Sequence, residues 1–176
     1  MAAEMLVFHP QTNRVPPLYA HQHIVISHRE ETMRNSRADA VWEGNLVQGK
    51  GSVSTASGVL KSAPVSWAAR TEASPMTSPE ELLAAAHSSC FSMALSNILA
   101  EKGTPPSRLN TSAVVTFDRA DGGWKVTTSK ISVRGVVPGI DQAGFTEAAN
   151  AAAKGCPVSK ALAGVEVVLE SATLES

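Results

Sequence analysis

Residues 78 to 102 constrain this chain more than any other stretch. Ser78-Pro79-Glu80-Glu81 sets a capping serine, a proline at the first helical position and a glutamate three residues past the cap in front of an apolar run. That order satisfies the free N–H groups of a helix start. The pattern predicts a helix to about Lys102, stopped by Gly103, Pro105 and Pro106. Leu82 to Ala86, then Phe91, Met93, Ala94, Leu95, Ile98 and Leu99, make it apolar around most of its circumference. A helix of that kind is expected in the interior, with other elements wrapped about it.

The flanking segments supply the wrapping. Ala38 to Trp42, Lys50 to Ala56 and Val59 to Arg70 alternate in character and are punctuated by Gly44, Gly49, Gly51 and Gly58, which predicts an antiparallel meander. Asn110 to Phe117 and Trp124 to Val137 are β-branched runs on either side of Asp121-Gly122-Gly123, a hairpin signal. A second helix is expected from Asp141 to Lys154, capped by Asp141 and ended by Gly155. Cys156-Pro157 opens a short helix to Ala163, and Val165 to Leu169 closes with a strand. Residues 37–176 thus read as one α+β domain. Residues 1–36 hold Pro10, Pro16, Pro17 and His9, His21, His23 and His28 with little apolar periodicity. They read as an arm, a polar tail or a stretch upstream of a start at Met33; His21 and His23 would share one face of a strand, where a metal is the less favoured reading.

A chain of 176 residues buries enough surface to fold without disulfides or a metal. Its two cysteines therefore suit a reducing compartment, where thiols are kept for chemistry or packing. With 15 basic and 16 acidic residues, a net charge of −1 offers no field to gather nucleic acid or anionic lipid. No apolar stretch approaches the ~20 residues of a membrane span, and Met5-Leu6-Val7-Phe8 is too short for a signal-peptide core. The expected location is the cytoplasm.

Cys90 falls in the middle of the long helix and Cys156 at the start of a short one. An unpaired interior cysteine commonly serves as a small hydrophobe. Cys156 is better placed for chemistry, because free N–H groups at a helix start stabilise a thiolate. His87 lies three residues before Cys90 and adjacent on the helix face. His87, Cys90 and Cys156 can be read as zinc ligands with an open position; equally, His87 can be a hydrogen-bonded core residue.

Five ordered motifs bear on that choice: Val41-Trp42-Glu43-Gly44, Gly49-Lys50-Gly51-Ser52-Val53-Ser54-Thr55, Ser78 to Leu82 leading to Ala85-Ala86-His87-Ser88-Ser89-Cys90-Phe91-Ser92-Met93-Ala94-Leu95, Val137 to Asp141, and Gly155 to Ser159. Together they resemble the OsmC branch of the OsmC/Ohr family over about residues 38 to 174. One departure is Met76-Thr77-Ser78-Pro79, where the family commonly has Gly-Thr-Asn-Pro. The resemblance implies a curved antiparallel sheet around a long central helix, an intertwined homodimer, and a thiol peroxidase that needs no cofactor and no metal. Such an enzyme would be expected to reduce organic hydroperoxides, and hydrogen peroxide less well, in oxidative or osmotic stress. By the same resemblance Cys90 is the peroxidatic thiol and Cys156 the resolving one, with Arg70 and Glu80 as the arginine and glutamate at the reactive sulfur. By the resemblance, an external dithiol, of lipoyl type or another small one, would reopen the Cys90–Cys156 disulfide.

Chemistry agrees with those residue types. A thiol in apolar surroundings resists ionisation, so a guanidinium must be brought to it, and Glu80 would aim Arg70 through a charged pair. Glu80 also suits the helix start simply as a first-turn carboxylate. Ten positions separate Glu80 from Cys90, ~15 Å along a straight helix at ~1.5 Å per residue. Either a long arginine bridges part of that gap with the help of a kink, or Arg70 and Glu80 act on the Cys90 of a partner chain, which the distance favours. Phe91, Met93 and Ile140 would favour an alkyl peroxide, or are ordinary core. A zinc-binding protein and a non-catalytic carrier of an apolar ligand are the competing readings.

Overall fold

The computed structural model describes residues 34–175, and the arm expected over residues 1–36 lies almost wholly outside them. Among the described residues the first sheet joins strands β1 (Ala38–Glu43), β2 (Lys50–Thr55) and β3 (Ala63–Val65) in that order, all antiparallel. The expected third strand to Arg70 is cut short. A single helical turn, α1 (Ala68–Thr71), replaces its second half, started where Ser66 Oγ accepts from the Ala69 N–H at 3.1 Å.

The long helix α2 runs Pro79–Glu101 with Ser78 as its cap, whose Oγ accepts from the Glu81 N–H at 3.1 Å. Only half of the expected reciprocal cap forms, because the Glu81 carboxylate accepts from the Thr77 hydroxyl instead. Thr77 in turn bridges to Val65 and donates its N–H to the Pro64 carbonyl at 3.0 Å. The departure at residues 76–79 is thus absorbed by a loop tied to β3.

The second sheet holds β4 (Arg108–Ala120), β5 (Gly123–Val136) and β6 (Glu166–Glu175). β4 and β5 form the expected hairpin, turning on Asp121 and Gly122 at φ of +53° and +81°, the two left-handed residues of a tight hairpin turn. β6 lies parallel to β5, which corrects the expectation of a wholly antiparallel sheet. Its connection from β5 passes through α3 (Gln142–Gly155) and α4 (Pro157–Ala161), and such a crossover returns the chain in the same direction.

The core lies between α2, α3 and β5. Phe91, Leu95 and Leu99 from α2, Ile131 and Val133 from β5, and Phe145, Ala148, Ala149 and Ala152 from α3 are fully buried. The α3 set recurs at three- and four-residue intervals, one face of a helix. Gly135 lets α3 come close: a Cβ there would stand 2.7 Å from the Phe145 ring.

Two surfaces remain open. In the single chain helix α2 buries only Glu80, His87, Phe91, Leu95 and Leu99, and Met93 on another face is 67% exposed. Helix α2 is also long and apolar enough by length and composition to cross a membrane, which corrects the expectation that no apolar stretch approaches that length, although its buried stripe is that of a core helix. Strand β1 is exposed along its whole length.

Candidate active site

Cys156 is fully buried at the junction of α3 and α4, and Cys90, half-buried on α2, packs against it with both thiols free. Pro157 at the first position of α4 leaves the next N–H groups, those of Val158 and Ser159, facing the Cys156 sulfur. Burial alone would raise the Cys156 pKa. The Ser159 N–H, the Cys90 thiol, the Ser159 hydroxyl and the Val158 N–H outweigh it, and the net shift is downward. Cys90 goes the other way. Burial pushes its thiol up, the Val158 N–H offsets part of that, and the neighbouring Cys156 adds to the rise. Within one chain the pair therefore shares its first negative charge in favour of Cys156.

Arg70 and Glu80 meet elsewhere on the molecule. Arg70 Nη2 donates to Glu80 Oε1 at 2.7 Å, and Nε lies 3.2 Å from each carboxylate oxygen, a forked pair that fixes the plane of the guanidinium. The face of that plane rests 3.8 Å from the Phe117 ring centre, with the Trp67 ring 5.5 Å away. Phe117 stacks in turn on Trp124 at 5.0 Å. Beside the guanidinium opens a cleft of about 340 Å³ walled by Trp42, Leu46, Val65, Trp67 and Pro79. Gly51 makes room for the Trp42 ring, since a Cβ there would stand 2.8 Å from it.

The predicted site residues thus form two pairs, cysteine with cysteine and arginine with glutamate. The groups acting on the Cys90 sulfur are Val158 and Cys156, and Arg70 is not one of them. His87 is fully buried, with Nδ1 2.7 Å from Ser129 Oγ and Nε2 2.8 Å from Ser159 Oγ. Its two ring nitrogens are engaged by serines, the hydrogen-bonded core reading, and neither is free to ligate zinc in this arrangement. Sequence reasoning missed Ser129, Ser159 and Phe117. Ser159 carried a signal, three places after a residue that opens a helix; Ser129 and Phe117 carried none, because only strand pairing brings them in.

Residues 72–170 match the family model described as OsmC-like protein. The chain is 44% identical to peroxiredoxin OsmC of Escherichia coli (strain K12) over 128 residues, which cover 73% of this chain and 90% of that one. It is 32% identical to organic hydroperoxide resistance protein OhrB of Bacillus subtilis (strain 168) over 123 residues, 68% of this chain and 88% of that one. The crystal structure of B. subtilis OhrB superposes with a TM-score of 0.60, covering 79% of this chain and 98% of that chain at 27% identity. The paired thiols, the forked Arg70–Glu80 pair and these likenesses together carry one conclusion: the chain belongs to the OsmC branch of the OsmC/Ohr family.

Proposed function

We propose that this protein is a cysteine-based peroxidase that reduces organic hydroperoxides, with Cys90 as the attacking thiol and Cys156 as the resolving one. The observation that carries the reading is the contact between two free thiols, one midway along α2 and one at the start of α4. The Cys90 thiolate attacks one oxygen of the peroxide, the O–O bond breaks, and the departing alkoxide takes a proton to leave as the alcohol. Cys90 is left as a sulfenic acid. Cys156 condenses with it, expelling water and forming a disulfide, which an external dithiol reopens by exchange. A lipoyl-type dithiol fits that requirement because it leaves as a closed ring.

Burial raises the Cys90 pKa, so attack requires a cation at its sulfur. Arg70, already aimed by Glu80, supplies it from the partner in a homodimer. The open face of α2 around Met93 and the uncovered strand β1 support that arrangement, since apolar surface of this kind is covered in a stable protein. The apolar cleft beside Arg70 suits an alkyl substituent on the peroxide. The cytoplasm fits a chain that works through two reduced thiols. Residues 1–36 lend no group to this scheme and are dispensable for turnover.

Thiol titration before and after one equivalent of an alkyl hydroperoxide tests the reading. Two thiols should be lost and one alcohol formed per chain. Thiols that survive the peroxide would refute it, and co-purifying lipid retained by Cys90→Ser with no peroxide chemistry would favour a carrier.

A further inference from the structure

His87 is buried on α2, and the reaction above gives it no part. Its ring spans Ser129 of β5 and Ser159 of α4 at 2.7 and 2.8 Å. Ser159 occupies the third position of α4, and Cys156 is the residue that caps the helix. Side chains at those two positions face one another, and the Ser159 hydroxyl and N–H both act on the Cys156 sulfur. A hydrogen-bonded line therefore runs from Ser129 through His87 to Ser159, which stands at the third position of the helix that Cys156 caps, and draws on β5, α2 and α4.

The line can run in one donor direction throughout. The Ser129 hydroxyl donates to His87 Nδ1, the protonated Nε2 donates to Ser159 Oγ, and the Ser159 hydroxyl is left to donate to the Cys156 sulfur. A donor aimed at sulfur favours the thiolate over the thiol. His87 needs no charge for this. Burial holds its pKa below the ordinary value, so the neutral ring is the resident form.

We propose that Ser159 stabilises the Cys156 thiolate in the resolving step and that His87 is the positioning residue that aims its hydroxyl. The proposal rests on the peroxidase reading for the identity of that step. In it the Cys156 sulfur attacks the sulfenic sulfur of Cys90, the S–S bond forms and the S–O bond breaks. The departing hydroxide combines with the proton that Cys156 gave up, leaving water. Cys156 sulfur is oxidised and Cys90 sulfur reduced by the same electron pair, so no further reagent enters.

Other groups face the same place. Lys154 of α3 and Lys160 of α4 line the cleft of about 420 Å³ onto which Ser159 opens, with Val167 and Leu169 of β6 as apolar wall. Cys90 of α2 faces Cys156 directly. A hydroxyl-specific readout separates the part of Ser159 from that of these neighbours.

Cys90→Ala leaves Cys156 as the sole thiol, and its thiolate absorbance can be followed against pH. In that background Ser159→Ala should raise the Cys156 pKa by about one unit, the size of a single lost bond to a charged group. Ser159→Thr should restore it, and His87→Gln should give a smaller rise. In the two-cysteine protein given one equivalent of alkyl hydroperoxide, Ser159→Ala should lower the ratio of disulfide closure to Cys90 oxidation about tenfold at neutral pH. Trapping with a sulfenic-acid reagent reports that ratio. A Ser159→Ala titration matching its parent, a shift that threonine fails to restore, or an unchanged closure ratio would each overturn the proposal, and Ser159→Ala serves even if His87→Gln does not fold. If the unmodified protein forms no disulfide at all, the peroxidase reading falls, while the peroxide-free titration still judges the role of Ser159.

Discussion

Arg70 holds Glu80 at 2.7 Å through Nη2 and at 3.2 Å through Nε, at the opposite end of the first half of α2 from Cys90. The guanidinium is already oriented, and Arg70 is not among the groups acting on the Cys90 sulfur within the chain. A charge-orienting device built away from its target makes sense in the proposed homodimer, where a two-fold axis would present the Arg70 of each copy to the Cys90 of the other.

Arg70→Ala should therefore slow peroxide reduction about a hundredfold or more, as loss of a charged group at a developing anion does elsewhere. Glu80→Gln should have a smaller effect, since it leaves the guanidinium present but less firmly aimed. Chains carrying Arg70→Ala and Cys90→Ser, each inactive alone, should regain activity when mixed and allowed to exchange subunits. Complementation by steady-state assay checks this, and its failure in proven heterodimers would put Arg70 and Cys90 in one chain's site.

Met93→Glu should weaken self-association. Met93 is 67% exposed in the single chain, so a glutamate there costs the isolated fold little and would place a charge in the proposed dimer contact. Sedimentation should show dissociation at concentrations where the parent stays dimeric, with turnover falling in parallel. An undisturbed dimer would mean that α2 pairs through a different face.

His87 gives stability a pH dependence. Burial lowers its folded-state pKa below the ordinary 6.5, so the unfolded chain binds the proton more readily. Its contribution is fully present above about 6.5 and is lost as pH falls through the lower folded-state value. Thermal unfolding followed by circular dichroism should show Tm dropping on acidification below that point. His87→Gln, already less stable, should show a shallower drop; an identical slope would assign the effect to carboxylates.

Gly135→Ala should destabilise the fold without touching either thiol. Its new Cβ would stand 2.7 Å from Phe145 Cζ and 3.0 Å from Leu109 Cδ2, and a fully buried Phe145 has little room to retreat. Overpacking of this kind costs ~1–3 kcal/mol. Denaturant titration should show a lowered midpoint with the slope unchanged. Full stability would mean that α3 shifts as a body to accommodate the methyl group.

Local signals were enough for most elements. Ser78 and Asp141 announce their helices because a capping oxygen satisfies N–H groups within three residues, and Asp121-Gly122 announces its turn because few residues accept positive φ. Each of these interactions closes within a short stretch of chain, so the sequence by itself determined them. Helix α2 was another matter. Its alanines and leucines are apolar on every side, so periodicity has no phase to report, and only packing against β5 and α3 selects the His87, Phe91, Leu95 and Leu99 stripe. The parallel return of β6 depended on how α3 and α4 lie over the sheet. The line from Ser129 through His87 to Ser159 joins residues 42 and 72 positions from the histidine. No local spacing encodes such contacts; the tertiary structure decided them, because a buried imidazole must find partners for both nitrogens wherever the packing brings hydroxyls within reach.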